Sequence, residues 1–241
     1  MFSWLQSSDL NTISRMNIHV FYRPILQYFR KGRMRLFSQL FPVNSKTKIL
    51  DLGGSPYNWT LLDVRPKVTI LNIHEHFDTV GWANYVVGDG CHTAFADTSF
   101  DIVFSNSVIE HVGGIARQRE FANECMRCGR AFFVQTPNKW FPIDTHTLMP
   151  FAHWLPQRMF RSMIRFSPRF LFFKPDPGDL EDFSNMRLLT RKDLQHLFPK
   201  AKILEEKFLG LTKSLIAVSV TFERIKENAK ARTPDKNNSR E

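Results

Sequence analysis

Small and polar residues stand at the ends of successive apolar runs in this chain, and they are the types that hold a nucleotide-like ligand. The run Lys48–Leu52 closes on Asp51-Leu52-Gly53-Gly54-Ser55. A glycine there lets a ligand approach the backbone, and a helix starting just after it would aim its N-terminus at an anion. The run Val68–Ile73 carries Asn72 about twenty residues on, where dinucleotide folds hold a ribose hydroxyl. Tyr85–Val87 ends at Gly88-Asp89-Gly90, and Asp101–Phe104 ends at Ser105 and Asn106. Any one of these is commonly just a turn. Four in register point to a ligand lying across one edge. The fingerprint G-x-G-x-x-G is absent, because Asp51-x-Gly53-x-Ser55-x-Tyr57 cannot supply it, and that argues against a dehydrogenase. Cys125 and Cys128 form a C-x-x-C pair and Cys91 stands alone. A zinc site needs a second ligand pair at recognisable spacing, so buried or idle thiols are expected and no metal.

The elements that must position these residues alternate. Apolar runs at Lys48–Leu52, Val68–Ile73, Tyr85–Val87, Asp101–Phe104 and Ala131–Val134 read as strands. Ala116–Met126 has the composition and spacing of a helix between the fourth and fifth. Strands alternating with helices imply parallel pairing. Thr190 caps a helix through Leu197 that Pro199 stops, and Lys202–Phe208 with Ser214–Phe222 read as a closing hairpin around Gly210. The fold class expected is α/β, a doubly wound sheet flanked by an N-terminal helical segment (residues 1–45, with Tyr28–Phe41 ended by Pro42). The main domain spans 46–222, and residues 138–186 interrupt it with an aromatic and basic insertion after the fifth strand. The polar, aperiodic residues 223–241 read as a disordered tail.

Composition narrows the partners. The 241 residues are 43% hydrophobic and 23% charged, with a net charge of +10. Residues 1–45 carry six Arg/Lys against one acid, and 151–174 carry five against none. The tail from Glu223 carries six against four, so the remainder is slightly acidic. A nucleic-acid-binding core would not be charged that way, and nucleic acid is not the expected partner. No run approaches the roughly 18 apolar residues that span a bilayer, and the N-terminus lacks the pattern of a secretory signal. A cytoplasmic setting is expected, with peripheral contact at the inner face of an anionic membrane.

The runs Ile49-Leu50-Asp51-Leu52-Gly53-Gly54, Gly88-Asp89-Gly90 and Ser99-Phe100-Asp101-Ile102-Val103-Phe104-Ser105-Asn106-Ser107-Val108-Ile109-Glu110-His111-Val112 resemble the class I S-adenosylmethionine methyltransferases. The likeness is closest to the small-molecule branch of the ubiquinone-biosynthesis type. The resemblance implies a seven-stranded, mostly parallel sheet with an antiparallel final hairpin, and S-adenosyl-L-methionine as cofactor. Asp51, Gly53 and Gly54 would hold its methionine part, Asn72 the ribose and Asp89 the adenine amino group. Ser105 would stand near the sulfonium, and Ser55, Ile73, Gly90 and Asn106 complete the cofactor-binding set. Ser55 and Tyr57 depart from the family's further glycines, and Asn72 from its usual acid. Those departures keep open a non-catalytic, cofactor-binding or membrane-docking protein of the same fold. The sequence Ser-Asn-Ser-Val after the fourth strand lacks the Asn/Asp-Pro-Pro-aromatic pattern of base methyltransferases.

A methyltransferase must align donor and acceptor and exclude water, and a hydroxyl acceptor adds a need for a general base. Histidine suits that task at neutral pH. His111 follows the fourth strand beside the donor site, and could equally be a packed or capping residue. His146 sits in the loop after the fifth strand, with Asp144 two residues earlier to orient it or merely to cap a turn. Asn138, Trp140 and Asp144 on that loop are expected to meet substrate. Arg158, Arg161 and Arg165 share one face of a short helix begun by Pro156, opposite Met159, Phe160, Met163 and Ile164. Arg158 and Arg161 are expected to meet an anionic substrate group. The helix reads as a lid, or as a surface for a lipid headgroup or lipid-linked glycan. The function expected is O-methylation of a small-molecule, sugar or lipid-linked acceptor.

Overall fold

The computed structural model describes residues 18–75, 79–143, 149–164, 166–167 and 186–219, with side chains for all of these except 18–26, 157, 161 and 164. Strands β1 (Lys48–Leu52), β2 (Lys67–Asn72), β3 (Ala83–Val87), β4 (Phe100–Asn106), β5 (Gly129–Pro137), β6 (Lys202–Phe208) and β7 (Leu211–Val218) form one sheet of order β3-β2-β1-β4-β5-β7-β6. The pairs among β1 to β5 are parallel, while β7 lies antiparallel to both β5 and β6. The order reverses between β1 and β4, so the crevice where such sheets bind ligands opens over the ends of those two strands.

Strand alternation sends side chains to two different helical layers. Leu50, Leu52, Val103, Phe132 and Val134 face Phe121, Ala122 and Cys125 of α3 (Ile115–Cys128) and Leu194 and Leu197 of α5 (Arg191–Leu197). Ile49, Ile70, Ile102, Phe104 and Phe133 face Met34, Phe37 and Leu40 of α1 (Ile18–Leu40). Phe37 sits at the centre of that second layer, edge-on to Trp59 at 5.8 Å, Phe104 at 5.4 Å and Phe133 at 5.7 Å. Helices on both faces make this a doubly wound sheet.

Several boundaries move. The N-terminal helix runs over Ile18–Leu40, within the expected helical segment, and packs into the sheet's own core. Ser105 and Asn106 end β4, as the sequence placed them, and β5 extends to Pro137. β3 begins at Ala83, and β7 (Leu211–Val218) begins before the expected Ser214, while residues 220–222 of the expected strand lie outside the described residues. The connection from β1 to β2 holds only α2 (Pro56–Trp59), a single turn, where a full crossover helix was expected to point at the ligand. One turn sums too few peptide dipoles to bind an anion by itself. Trp59 of that turn and α1 cover the sheet face in its place. The Thr190 cap of α5 falls where the sequence put it, closed into a capping box by Asp193, and Gly210 turns the final hairpin at φ +81°. Within the insertion, a 3-10 turn (Ala152–Trp154) precedes α4 (Gln157–Ile164). The tail from residue 220 and residues 168–185 lie outside the described residues. Among the described residues no helix is long and apolar enough to cross a membrane.

Candidate functional site

Asp51 ends fully buried at the carboxyl end of β1. Trp59 Nε1 donates to its Oδ2 at 2.8 Å, while Oδ1 is buried without a hydrogen-bond partner. Burial pushes its carboxyl up to about 7, against the opposing pull of the Trp59 hydrogen bond and the Arg30 charge. A buried acid with one open oxygen at a glycine turn fits a ligand that donates a hydrogen bond or carries an ammonium. The cofactor's methionine part supplies such a group, so the residues present fit it.

The glycines also serve the chain's own packing. Gly53 adopts φ +70°, and an added Cβ would come within 2.6 Å of Val108 Cγ2. A Cβ at Gly54 would fall on the Asp51 carboxyl itself. Substitution at Gly53 therefore strains the fold through Val108 before it fills any ligand space. Ser55 precedes α2 as its N-cap in extended conformation, without a side-chain capping bond.

Asn72 Nδ2 donates to the Gly54 carbonyl at 3.1 Å, tying the β2 end to the glycine turn. Ile73, next to it, is exposed. Asp89 is engaged on both oxygens: Arg117 Nη2 donates to Oδ2 at 2.6 Å and the Cys91 amide to Oδ1 at 2.9 Å. Desolvation works to raise its pKa, but these bonds outweigh it and hold the carboxyl below its usual range. Gly90 lies against Phe121. Ser105 is fully buried and its Oγ donates to the Leu52 carbonyl at 3.2 Å, so it joins β4 to β1.

Asn106 leads to a group that sequence reasoning missed. Arg33 of α1 is 6% exposed and donates through Nη1 to Asn106 Oδ1 at 2.5 Å and Gln135 Oε1 at 2.6 Å. Its Nε lies 3.2 Å from Glu206 Oε1, and Lys213 Nζ lies 3.6 Å from Glu206 Oε2. Burial first, then the Arg33 charge, pushes the Lys213 ammonium down to about 8. Arg30, one turn earlier on α1, lies over the Tyr57 ring at 5.4 Å. The sequence showed only arginines among apolar residues on a basic flank, with nothing to say that they turn inward.

The acceptor side is partly described. His111 keeps a side chain 13% exposed, with Nε2 4.0 Å from Glu110 Oε1. Glu110 is fully buried, and Thr136 Oγ1 at the end of β5 donates to its Oε2 at 3.0 Å. His111 is thereby set at the joint of β4 and β5. His146 and Asp144 lie outside the described residues, as does the side chain of Arg161. Asn138 Nδ2 donates to the Thr212 carbonyl at 2.8 Å, and its Oδ1 accepts from the Trp140 amide at 3.3 Å. Asn138 and Trp140 line a cavity of about 400 Å³ with Arg191, Lys192, Glu205 and Thr212. That cavity lies on the far side of β5, beside β7 and α5, away from the β1–β4 crevice. Arg158 is exposed on α4. The three cysteines are free and buried, and burial pushes the Cys91 thiol up to about 12.

Residues 46–131 match the family model of a methyltransferase domain. No curated protein matches the chain. Among solved structures, the YcgJ protein of Bacillus subtilis is 13% identical, with a TM-score of 0.50 over 84% of this chain and 78% of that one. A protein described as a Zn-dependent alcohol dehydrogenase from Rhodobacter sphaeroides is 11% identical, with a TM-score of 0.51 over 74% of this chain and 86% of that one. The PH0226 protein of Pyrococcus horikoshii is 18% identical, covering 82% of this chain and 89% of that one at a TM-score of 0.49. At these identities a likeness concerns the fold alone, which dehydrogenases and methyltransferases share. The family match adds the chemistry over that segment: residues 46–131 are similar to a methyltransferase domain, which supports S-adenosylmethionine-dependent methyl transfer with that molecule as cofactor.

The open Asp51 oxygen makes a testable pH signature. A carboxyl raised on folding is protonated in the folded chain and ionised in the unfolded one between about pH 4 and 7, so the unfolded state binds fewer protons there. Stability without cofactor should fall as pH rises through that window and level off above it. Asp51→Asn keeps an acceptor for Trp59 and removes the titration. Melting temperatures at pH 5 and pH 8 should therefore differ more in the wild type than in Asp51→Asn; equal differences would show that Asp51 is ionised throughout.

Proposed function

We propose that this chain transfers a methyl group from S-adenosylmethionine to a hydroxyl oxygen on a small-molecule, sugar or lipid-linked glycan acceptor. When bound, the cofactor supplies a methyl group already activated by its sulfonium. Asp51, the Gly53–Gly54 turn, Asn72, Asp89 and Asn106 border its place along the carboxyl edge. The observation that carries the acceptor reading is the His111–Glu110–Thr136 series at the adjoining ends of β4 and β5. An imidazole there can take the hydroxyl proton as the new bond forms, and a buried carboxylate beside it stabilises the imidazolium produced. His146 is assigned to the same acceptor pocket, with Asp144, Arg158 and Arg161 on its substrate side, while Asn138 and Trp140 line the separate cavity beyond β5.

The test is transfer of labelled methyl from S-adenosylmethionine into fractionated acceptor pools. Label in a glycan or glycolipid fraction, stable to mild base as an ether is, supports the reading. Label confined to protein, nucleic acid or base-labile esters overturns it.

A further inference from the structure

We propose that the aromatic surface beyond β5 docks on an anionic lipid bilayer and turns the acceptor side of the carboxyl edge toward it. Trp140 is 60% exposed, Met159 52% and Phe166 73%, with Phe151, Trp154 and Met163 also exposed. Trp154 ties the aromatic group together, its ring 6.0 Å from that of Trp140 and 5.1 Å from that of Phe151. Met159, Met163 and Phe166 follow at i, i+4 and i+7. The sequence groups Met159, Phe160 and Met163 on one face of a lid or a lipid-facing surface; in the structure Phe160 is the buried residue and the two methionines face out. Exposed apolar side chains gathered on one short segment in this way mark an interaction site.

Hydrogen bonds hold the patch in place. Trp154 Nε1 donates to the Lys139 carbonyl at 2.7 Å, and His153 Nε2 lies 2.9 Å from the same oxygen. The Phe151 amide donates to the Pro142 carbonyl at 2.7 Å, and Phe151 itself adopts φ +61°. These bonds anchor the aromatic cluster directly to the chain leaving β5, which suits a fixed docking face better than a flap.

Charge names the occupant. No Asp or Glu occurs from Thr145 through Lys174, a stretch with five Arg/Lys. Lys139 and Arg158 flank the patch, and Lys192 and Arg191 line the cavity that Trp140 shares. The acid in that lining, Glu205, is paired with Arg191 at 2.9 Å. A second copy of this chain would bring positive charge against positive. A nucleic acid would match the charge but not the outward methionines. An anionic bilayer matches both, with tryptophans at headgroup depth and cations over the phosphates. Delivery of the acceptor from the membrane rests on the function proposed above; docking itself does not.

The experiment is co-sedimentation of the full chain with phosphatidylcholine vesicles, with and without phosphatidylglycerol, at low and high salt. A brominated phosphatidylcholine in the same vesicles reads tryptophan depth by quenching. Binding is expected only with the anionic lipid, weakened by salt. Lys139→Glu/Arg158→Glu/Lys192→Glu should weaken it at least about tenfold. Trp140→Ala/Trp154→Ala should weaken it and remove most of the quenching, with both variants keeping the wild-type melting temperature. Absence of binding at low salt overturns docking, as does equal binding by either variant or unchanged quenching in the tryptophan variant. Vesicle binding by a chain that transfers no methyl group would leave docking standing and remove the membrane-delivered acceptor.

Discussion

A chain carrying His111→Ala is expected to bind S-adenosylmethionine as the wild type does and to turn over about 10²–10⁴-fold more slowly, the range typical of a lost general base. The expectation comes from position. His111 stands at the ends of β4 and β5, and the carboxylate beside it is fixed to β5 through Thr136. Thr136→Val should give a smaller loss and shift the pH profile of turnover, because it loosens Glu110 without touching the imidazole. His146→Ala provides the comparison: as a substrate contact it should raise KM more than it lowers kcat. Full activity in His111→Ala with an inactive His146→Ala would exchange the two assignments.

The second large effect lies in the fold. Phe37→Ala should cost about 3–5 kcal/mol, the usual range for deleting a buried phenyl ring. In a chain of this size that is on the order of 10 °C in Tm. Phe37 is fully buried and meets Trp59, Phe104 and Phe133 together, so its removal leaves three rings facing a void. Arg35→Ala, two residues earlier on the exposed side of α1, should stay within about 0.5 kcal/mol. Thermal unfolding of both variants measures the contrast. A small loss in Phe37→Ala would mean that α1 is an appendage and not part of the sheet's core.

The strand ends were legible because each combines an apolar run with a residue type that only a turn or a ligand needs. Asp51-x-Gly53, Asn72 and Asp89 come out along one edge for that reason. The cap at Thr190 was legible because its chemistry is local. What the sequence hid is non-local. Arg33 reads as one more charge on a basic flank until α1 is laid across β4 and β5, where it meets Asn106 and Gln135. Lys213 and Glu206 read as ordinary hairpin charges until β7 inserts beside β5 and brings them to Arg33. Helical periodicity in α4 groups Phe160 with Met159 and Met163 on one apolar face, but of these only Phe160 turns inward and both methionines are exposed. Period alone does not say how much of a face is covered. Composition alone could not show that the β1–β2 connection holds a single helical turn, since Trp59 and α1 together take the place of the missing helix.

Isothermal titration of the full chain with S-adenosylmethionine, its demethylated product and NADH tests the central claim most directly. The expected result is one saturable site that takes either of the first two, competitively, and no heat with NADH. Binding of the methylated cofactor should also shift the pH dependence of stability seen in the wild type, because Asp51 gains its missing partner. Absence of binding by both sulfur compounds in a chain with a cooperative melt, or binding of NADH in their place, would contradict it.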